Sequence, residues 1–329
     1  MLNQSDHNQG SVSIFIPVKN GFPEIKDCIN GWLSQRVPPR KILVVDSGST
    51  DGTLEYLYGI PEVEIIQIAP ETFNHGLTRN IGFEHLTDEF IIYTVQDARP
   101  ADQFVIESLL NVIQRNDQLD GICGQQIVPH EVDKNPVDWF RPIDSPSVTF
   151  YSLNAPEEFE QFNALQRKNM TAWDNVIAMY RRKSLMNAPF EQTVFGEDMI
   201  WAKKILLNGG IIAVQTAARV FHYHHETPDF VFRRNLTTLY MRYKHLGYLP
   251  NPEKLNIRKV LIWIKLILKG GLFTSLNLVK WLRYNIKRQQ AVFQAIALFK
   301  SHINMGQMEL DKLHNQWCAH PPSPPKKRK

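Results

Sequence analysis

Four largely apolar runs near the start of the chain, three of them closed by a polar cluster, limit the folds open to it more than any other feature. They are SVSIFIP (11–17), KILVVD (41–46), VEIIQI (63–68) and FIIYTV (90–95). Helical patterns separate them, from about Glu24 to Ser34, after Gly52 and after Gly76. A strand with one wet face alternates apolar and polar residues, whereas a strand covered on both faces reads as an unbroken hydrophobic run. Runs of the second kind divided by helices predict an α/β fold, a Rossmann-like and mostly parallel sheet with helices on both faces. Such a sheet binds its ligand outside the C-terminal ends of its strands. There the chain places PVKNG after the first run, DSGSTDGT after the second and QDA after the fourth.

Beyond residue 127 the pattern loosens, and 128 to 170, with VPHEVDKNPVDWFRPIDSPSV, reads as a long loop over the sheet. Order returns with VIAMYRR (176–182), a helix through EDMIWAKKILLNG and two short strands, IIAVQ and RVFHYH. After Pro228 the chain reads as helical. The expected division is a flexible N-terminus (1–10), an α/β domain (11–227), a basic amphipathic helical appendage (228–316) and a disordered basic tail (317–329). Cys28, Cys123 and Cys318 share no metal-binding or disulfide spacing, which fits a reducing, cytoplasmic setting. The N-terminus lacks the basic and apolar regions of a signal peptide, and VLIWIKLIL carries Lys265 in its middle, so no membrane span is expected.

Two common nucleotide signatures are excluded. The first strand is followed by PVKNGF in place of G-x-G-x-x-G, and no G-x-x-x-x-G-K-[ST] occurs. What remains is a nucleotide held by strand-end acids and a metal. The stretches IFIPVKNGFPEIKDCINGWLSQ and ILVVDSGSTDGTLEYL, then TFNHGLTRNIG, YTVQDARP, FGEDMIWAKKIL and VFHYH, together resemble the family 2 glycosyltransferases. The resemblance covers roughly residues 11 to 225, and the FNHGLTRN and QDA variants are most similar to the bacterial rhamnosyltransferases. It implies the GT-A fold, a nucleotide-diphospho-sugar donor, a divalent cation (Mg²⁺ or Mn²⁺) and an inverting transfer. It also implies a glycan acceptor, a growing cell-surface polysaccharide linked to a polyprenyl diphosphate. Another donor such as a UDP-hexose, or a catalytically weakened glycan-binding scaffold, stays open.

Carried over by position, the resemblance gives the nucleotide sugar to Pro17, Lys19, Asn20, Glu24, Asp46, Ser49, Asp51, Arg79, Gln96 and Asp97. Asp46 is similar to the acid that accepts from the base. Arg79 is similar to the residue that reaches toward the diphosphate and the metal-site acid, where a guanidinium makes charge-assisted contacts. Asp97 matches the second acid of the family's D-x-D, but the first acid is replaced by Val95. One carboxylate plus phosphate oxygens can still hold Mg²⁺. His222 and His224, expected on one face of a strand with His225 on the other, are the candidate completing ligands. Asp198, with Glu197 as runner-up, is the expected general base, and both acids also suit the first turn of a helix. Asn74, His75, Asn80, Trp173, Asp174 and Asn175 are candidates for contact with sugar or acceptor.

The formal net charge is only +4, yet no acidic residue stands between Glu253 and Glu309, where ten basic residues do. They interleave with apolar residues at helical spacing and with Trp263, Trp281 and Tyr284, a pattern suited to an anionic membrane surface. That places the protein peripherally on the inner face of the cell membrane. A helical cap, or a homo-oligomer formed through these helices, is the competing expectation. No nucleic-acid motif accompanies the basic tail, PPSPPKKRK, so nucleic acid is not an expected partner.

Overall fold

The computed structural model describes residues 10–141, 143–271 and 275–321. The expected flexible N-terminus and most of the expected basic tail lie outside these residues. The chain runs β1 (Val12–Val18), α1 (Glu24–Leu33), β2 (Lys41–Asp46), α2 (Thr53–Leu57), β3 (Val63–Gln67), α3 (Leu77–His85) and β4 (Phe90–Thr94). Then come β5 (Arg99–Pro100), α4 (Val105–Ile113), β6 (Leu119–Ile127), α5 (Pro136–Trp139), β7 (Val148–Tyr151), α6 (Glu158–Gln161) and α7 (Ala164–Met170). The α/β part closes with β8 (Ile177–Arg181), α8 (Arg182–Asn187), α9 (Glu197–Leu207) and β9 (Ile211–Phe221). Helices α10 (Pro228–Leu246), α11 (Ile257–Lys269), α12 (Ser275–Ile303) and α13 (Gln307–Trp317) follow.

Among the described residues nine strands form one sheet in the order β3-β2-β1-β4-β8-β6-β9-β5, with β7 also paired to β9. The four runs singled out in the sequence are its parallel half, β3-β2-β1-β4. Beyond β4 the sheet is mixed: β8 runs against both β4 and β6, β6 and β9 are parallel, and β5 and β7 run against β9.

Unbroken hydrophobicity has the expected cause. Ile14, Ile16, Ile42, Val44, Phe90 and Ile92 face one core with α1 and α4, while Phe15, Leu43, Val45, Ile91 and Tyr93 face the other. Each such side chain, buried completely, contributes roughly 1.5–3 kcal/mol.

Three expectations need correction. The stretch from 128 to 170 is not a plain loop, because it carries α5, β7, α6 and α7, and β7 extends the sheet. IIAVQ and RVF belong to one strand, β9: a register shift between Cys123 and Gln125 lets its ladder with β6 continue past the irregularity. β9 ends at Phe221, so His222 and His224 lie beyond it. Finally, the C-terminal helices share the second core. Leu236, Leu239 and Met241 of α10, Ala295, Ile296 and Phe299 of α12, and Leu310 and Leu313 of α13 join the cluster that holds Phe15 and Tyr93. Among the described residues no helix is long and apolar enough to cross a membrane.

Candidate active site

A cavity of about 830 Å³ opens outside the C-terminal ends of β1, β4 and β6, within the size range of small-molecule sites. Pro17, Lys19, Arg79, Gln96 and Asp97 line it, as do His75, Trp173, Asp174, Asn175, Glu197, Asp198, His222 and His224. The remaining candidates do not, and each has a local task instead. Asp46 is fully buried and accepts the backbone N–H of Gly48 and Ser49, forming the turn after β2. Ser47, next to it, is the residue that reaches the cavity. Ser49 and Asp51 accept from the backbone N–H of Asn20 and Phe22 at 2.8 and 3.0 Å, while Asn20 Oδ1 accepts from Thr50 N, so the loops after β1 and β2 are laced together. Glu24 is exposed in the first turn of α1, where a carboxylate favours the helix dipole. Asn74 Oδ1 accepts from Gly76, Leu77 and Thr193 N, and Asn80 exchanges two hydrogen bonds with the Phe190 backbone. These two amides position α3, and both ends of the Asn80 amide are engaged in doing so.

Asp97 sits just past β4 and meets both predicted histidines. Its Oδ1 lies 3.6 Å from His222 Nε2 and its Oδ2 lies 3.4 Å from His224 Nδ1. One ligand atom from each of the three residues lies within 4.8 Å of the others. Burial keeps His224 below the usual imidazole value and so neutral, the form that binds metals. The His222 Nε2 atom is buried with no hydrogen-bond partner. An orphaned imidazole nitrogen beside a carboxylate and a second imidazole fits a divalent cation, so these residues can hold the group that the resemblance implies. Val95, in place of the missing acid, lines the cavity without offering a ligand.

Behind the metal candidates runs a buried polar chain. Trp173 Nε1 donates to Tyr180 OH at 2.7 Å, and that hydroxyl donates to Asn175 Oδ1. Asn175 Nδ2 donates to Glu197 Oε1 at 2.9 Å, and Arg79 Nε lies 3.2 Å from the same oxygen as an ion pair without hydrogen-bond geometry. Arg79 Nη1 donates to His75 O at 2.8 Å. Trp173 is therefore a wall fixed by its indole N–H more than a free sugar platform. Burial raises the Glu197 carboxyl, but Arg79, His75 and Asn175 together hold it below its ordinary value. His75 is lowered to about 4, chiefly by burial.

Asp198 differs from its neighbour. Burial first, then the charges of Glu197 and Asp174, push its carboxyl up to about 8. It stays partly open to the cavity, while Glu197 is 4% exposed. Both acids lie in the first turn of α9, entered through Gly196 at φ 76°, a left-handed conformation that favours glycine. The pair thus starts a helix and lines the cavity at once.

Several lining residues had no signal in the sequence. Gln126, at the end of β6, obeys the same strand-end rule as Gln96, but β6 itself was not among the expected strands. Arg234, Thr238, Met241 and Arg242 come from α10, and His320 returns from beyond α13 to stack on Phe195 at 5.3 Å.

The chain is similar to known proteins in sequence and in fold. The family model described as glycosyl transferase family 2 matches residues 13–187. The O-antigen chain rhamnosyltransferase RfbN of Salmonella typhimurium is 30% identical over 234 residues, 69% of this chain and 71% of the relative. WbaN of Salmonella anatum, also an O-antigen chain rhamnosyltransferase, is 29% identical over the same shares. Residues 1–349 of S. aureus TarS, solved in complex with UDP-GlcNAc, superpose with a TM-score of 0.50 at 14% identity, over 90% of this chain and 92% of that one. That likeness concerns the fold.

Proposed function

The chain belongs to glycosyl transferase family 2 and is a glycosyltransferase of the GT-A fold, and from that premise we propose that it moves rhamnose from dTDP-rhamnose, with inversion, to a hydroxyl of a growing lipid-linked cell-surface glycan. The observation that carries the chemistry is Asp198, a cavity carboxyl raised to about 8 in the same cleft as Asp97, His222 and His224. A general base is most effective with its pKa near the working pH. Glu197 suits the role less, because Arg79 pairs with it and Asn175 holds one of its oxygens away from substrate.

In this reading Asp198 takes the proton of the acceptor hydroxyl as that oxygen bonds to the anomeric carbon. The bond from that carbon to the diphosphate breaks in the same displacement, and the diphosphate leaves with the electron pair. Asp97, His222 and His224 would hold a divalent cation, which supplies positive charge against the departing diphosphate. Lys19, exposed at the cavity wall, adds a further cation there. Rhamnose as the sugar draws on the names of the two Salmonella relatives.

The acceptor's lipid is consistent with the outer face of α11 and the start of α12. Ile257, Leu261, Ile262, Leu276 and Val279 are exposed beside Arg258, Lys265, Lys280 and Arg283. Trp263 and Trp281, expected to meet the bilayer, are instead buried against the protein, so aliphatic side chains would make the apolar contact. Binding to anionic vesicles, weakened by salt and by Leu261→Glu, is the expected result; no binding together with a dimer broken by the same change would assign this face to a second copy.

Thermal shift with dTDP, UDP and GDP, each with Mn²⁺, tests the donor, and dTDP should stabilise most. A preference for UDP refutes rhamnose. Turnover of dTDP-rhamnose that survives both Asp97→Ala and Asp198→Ala refutes the site.

A further inference from the structure

Gln126 belongs to no motif, yet its side chain joins two groups of the site. We propose that Gln126 is a positioning residue that holds His222 in its Nδ1–H form, so that Nε2 turns a lone pair toward a divalent cation shared with Asp97 and His224. The inference rests on the metal site proposed above.

A neutral imidazole donates from one nitrogen and accepts at the other, and the partner of either nitrogen selects the role of both. His222 Nδ1 lies 2.6 Å from Gln126 Oε1. An amide oxygen only accepts, so Nδ1 carries the proton. Asp174 decides which end of the amide faces the histidine. Gln126 Nε2 donates to Asp174 Oδ2, and the other oxygen of that carboxylate accepts from Val176 N at 3.0 Å. A reversed amide would set its oxygen against the Asp174 carboxylate. The backbone of Gln126 is fixed too, since β6 pairs with β9 there, opposite Val220.

What is left is Nε2, buried, without a partner and 3.6 Å from Asp97 Oδ1. In the neutral ring that nitrogen sets its lone pair against a carboxylate, an arrangement that a shared cation resolves; an imidazolium would resolve it by donating to Asp97 instead, and the nitrogen-15 spectrum below separates the two. Partners that orient a ligating histidine in this way typically account for about 10–100-fold in metal affinity.

Mn²⁺ alone, titrated into the full-length protein with free ion read by electron paramagnetic resonance, is the first measurement. Gln126→Leu, similar in size but without an acceptor, should bind Mn²⁺ about 10–100-fold more weakly. Gln126→Glu keeps an acceptor for Nδ1–H but sets its second oxygen against the Asp174 carboxylate, so it should recover Mn²⁺ binding over Gln126→Leu once combined with Asp174→Asn. Nitrogen-15 NMR of metal-free wild type should find His222 protonated on Nδ1, a readout that needs neither activity nor a folded variant. Wild-type Mn²⁺ affinity in Gln126→Leu, or an Nε2-protonated His222 in wild type, overturns the proposal. Wild type that binds no Mn²⁺ removes the metal site and this inference with it, whereas wild-type binding with an unaffected Gln126→Leu refutes the relay alone.

Discussion

Replacing Arg79 with methionine tests the electrostatics of the site most directly. Arg79 and Glu197 have side-chain exposures of 6% and 5% and lie 3.2 Å apart. Methionine keeps much of the aliphatic stem and removes the charge. A buried ion pair broken on one side typically costs about 3–5 kcal/mol, because the remaining charge is left without compensation. Its pH dependence identifies the cause. In wild type the Glu197 carboxyl is held below its unfolded value, so it contributes stability above that value and loses it as pH falls through the folded one. In Arg79→Met burial acts with less opposition, the folded pKa rises above the unfolded value, and the group costs stability as pH rises. The gap between variant and wild type should therefore be small near pH 4 and approach about 3–5 kcal/mol near pH 7.5. Urea unfolding followed by tryptophan fluorescence at the two pH values measures it. Adding Glu197→Gln should recover part of the loss at the higher pH. A gap that is equal at both pH values, or a double variant no better than Arg79→Met, would refute the argument.

Three further outcomes follow from Asp198, Asp174 and Asp97. If Asp198 is the base, kcat/KM should rise with pH toward a plateau above about 8, and Asp174→Asn should move the rise to lower pH, since the Asp174 charge helps to raise Asp198; initial rates across the pH range test both. Raised in the folded state, Asp198 favours folding below the unfolded carboxyl value and loses that contribution as pH climbs through about 8, so inactive Asp198→Asn should be the more heat-stable protein at pH 9, and equal stability there would count against the raised carboxyl. Asp97→Asn should abolish the extra thermal stabilisation that Mn²⁺ gives to dTDP binding, and an undiminished Mn²⁺ effect would return Asp97 to being a turn residue.

How much of this was legible in the chain depended on whether the cause was local. Both-face burial of β1, β2 and β4 is written in consecutive residues, and the family motifs lie at strand ends, so the parallel half and the cavity could be anticipated. Asp46, Asn74 and Asn80 have local hydrogen bonds that the sequence did not announce, because side chains that bind a ligand's polar groups serve the N–H groups of a turn equally well. Gln126 and His320 were hidden for another reason: one lies on a strand whose pattern did not stand out, and the other returns from far along the chain.

The histidine segment joins the two cases. A strand was expected to point His222 and His224 the same way, and both do meet Asp97 although β9 has already ended. Their neighbours Tyr223 and His225 do not line the cavity. Tyr223 OH accepts from Asn135 N at 3.1 Å, Asn135 and Asn285 of α12 exchange side-chain hydrogen bonds, and His225 stacks on Tyr284 of the same helix at 4.5 Å. Alternation thus persists in a segment without a ladder of its own because α5 and α12 hold its outward side chains. The basic helices that read as an appendage therefore brace the candidate metal ligands, while α10 supplies Arg234 and Arg242 to the cavity wall. Any contact that α12 makes on its outer face bears on the helix whose Tyr284 and Asn285 steady the segment that carries His222 and His224.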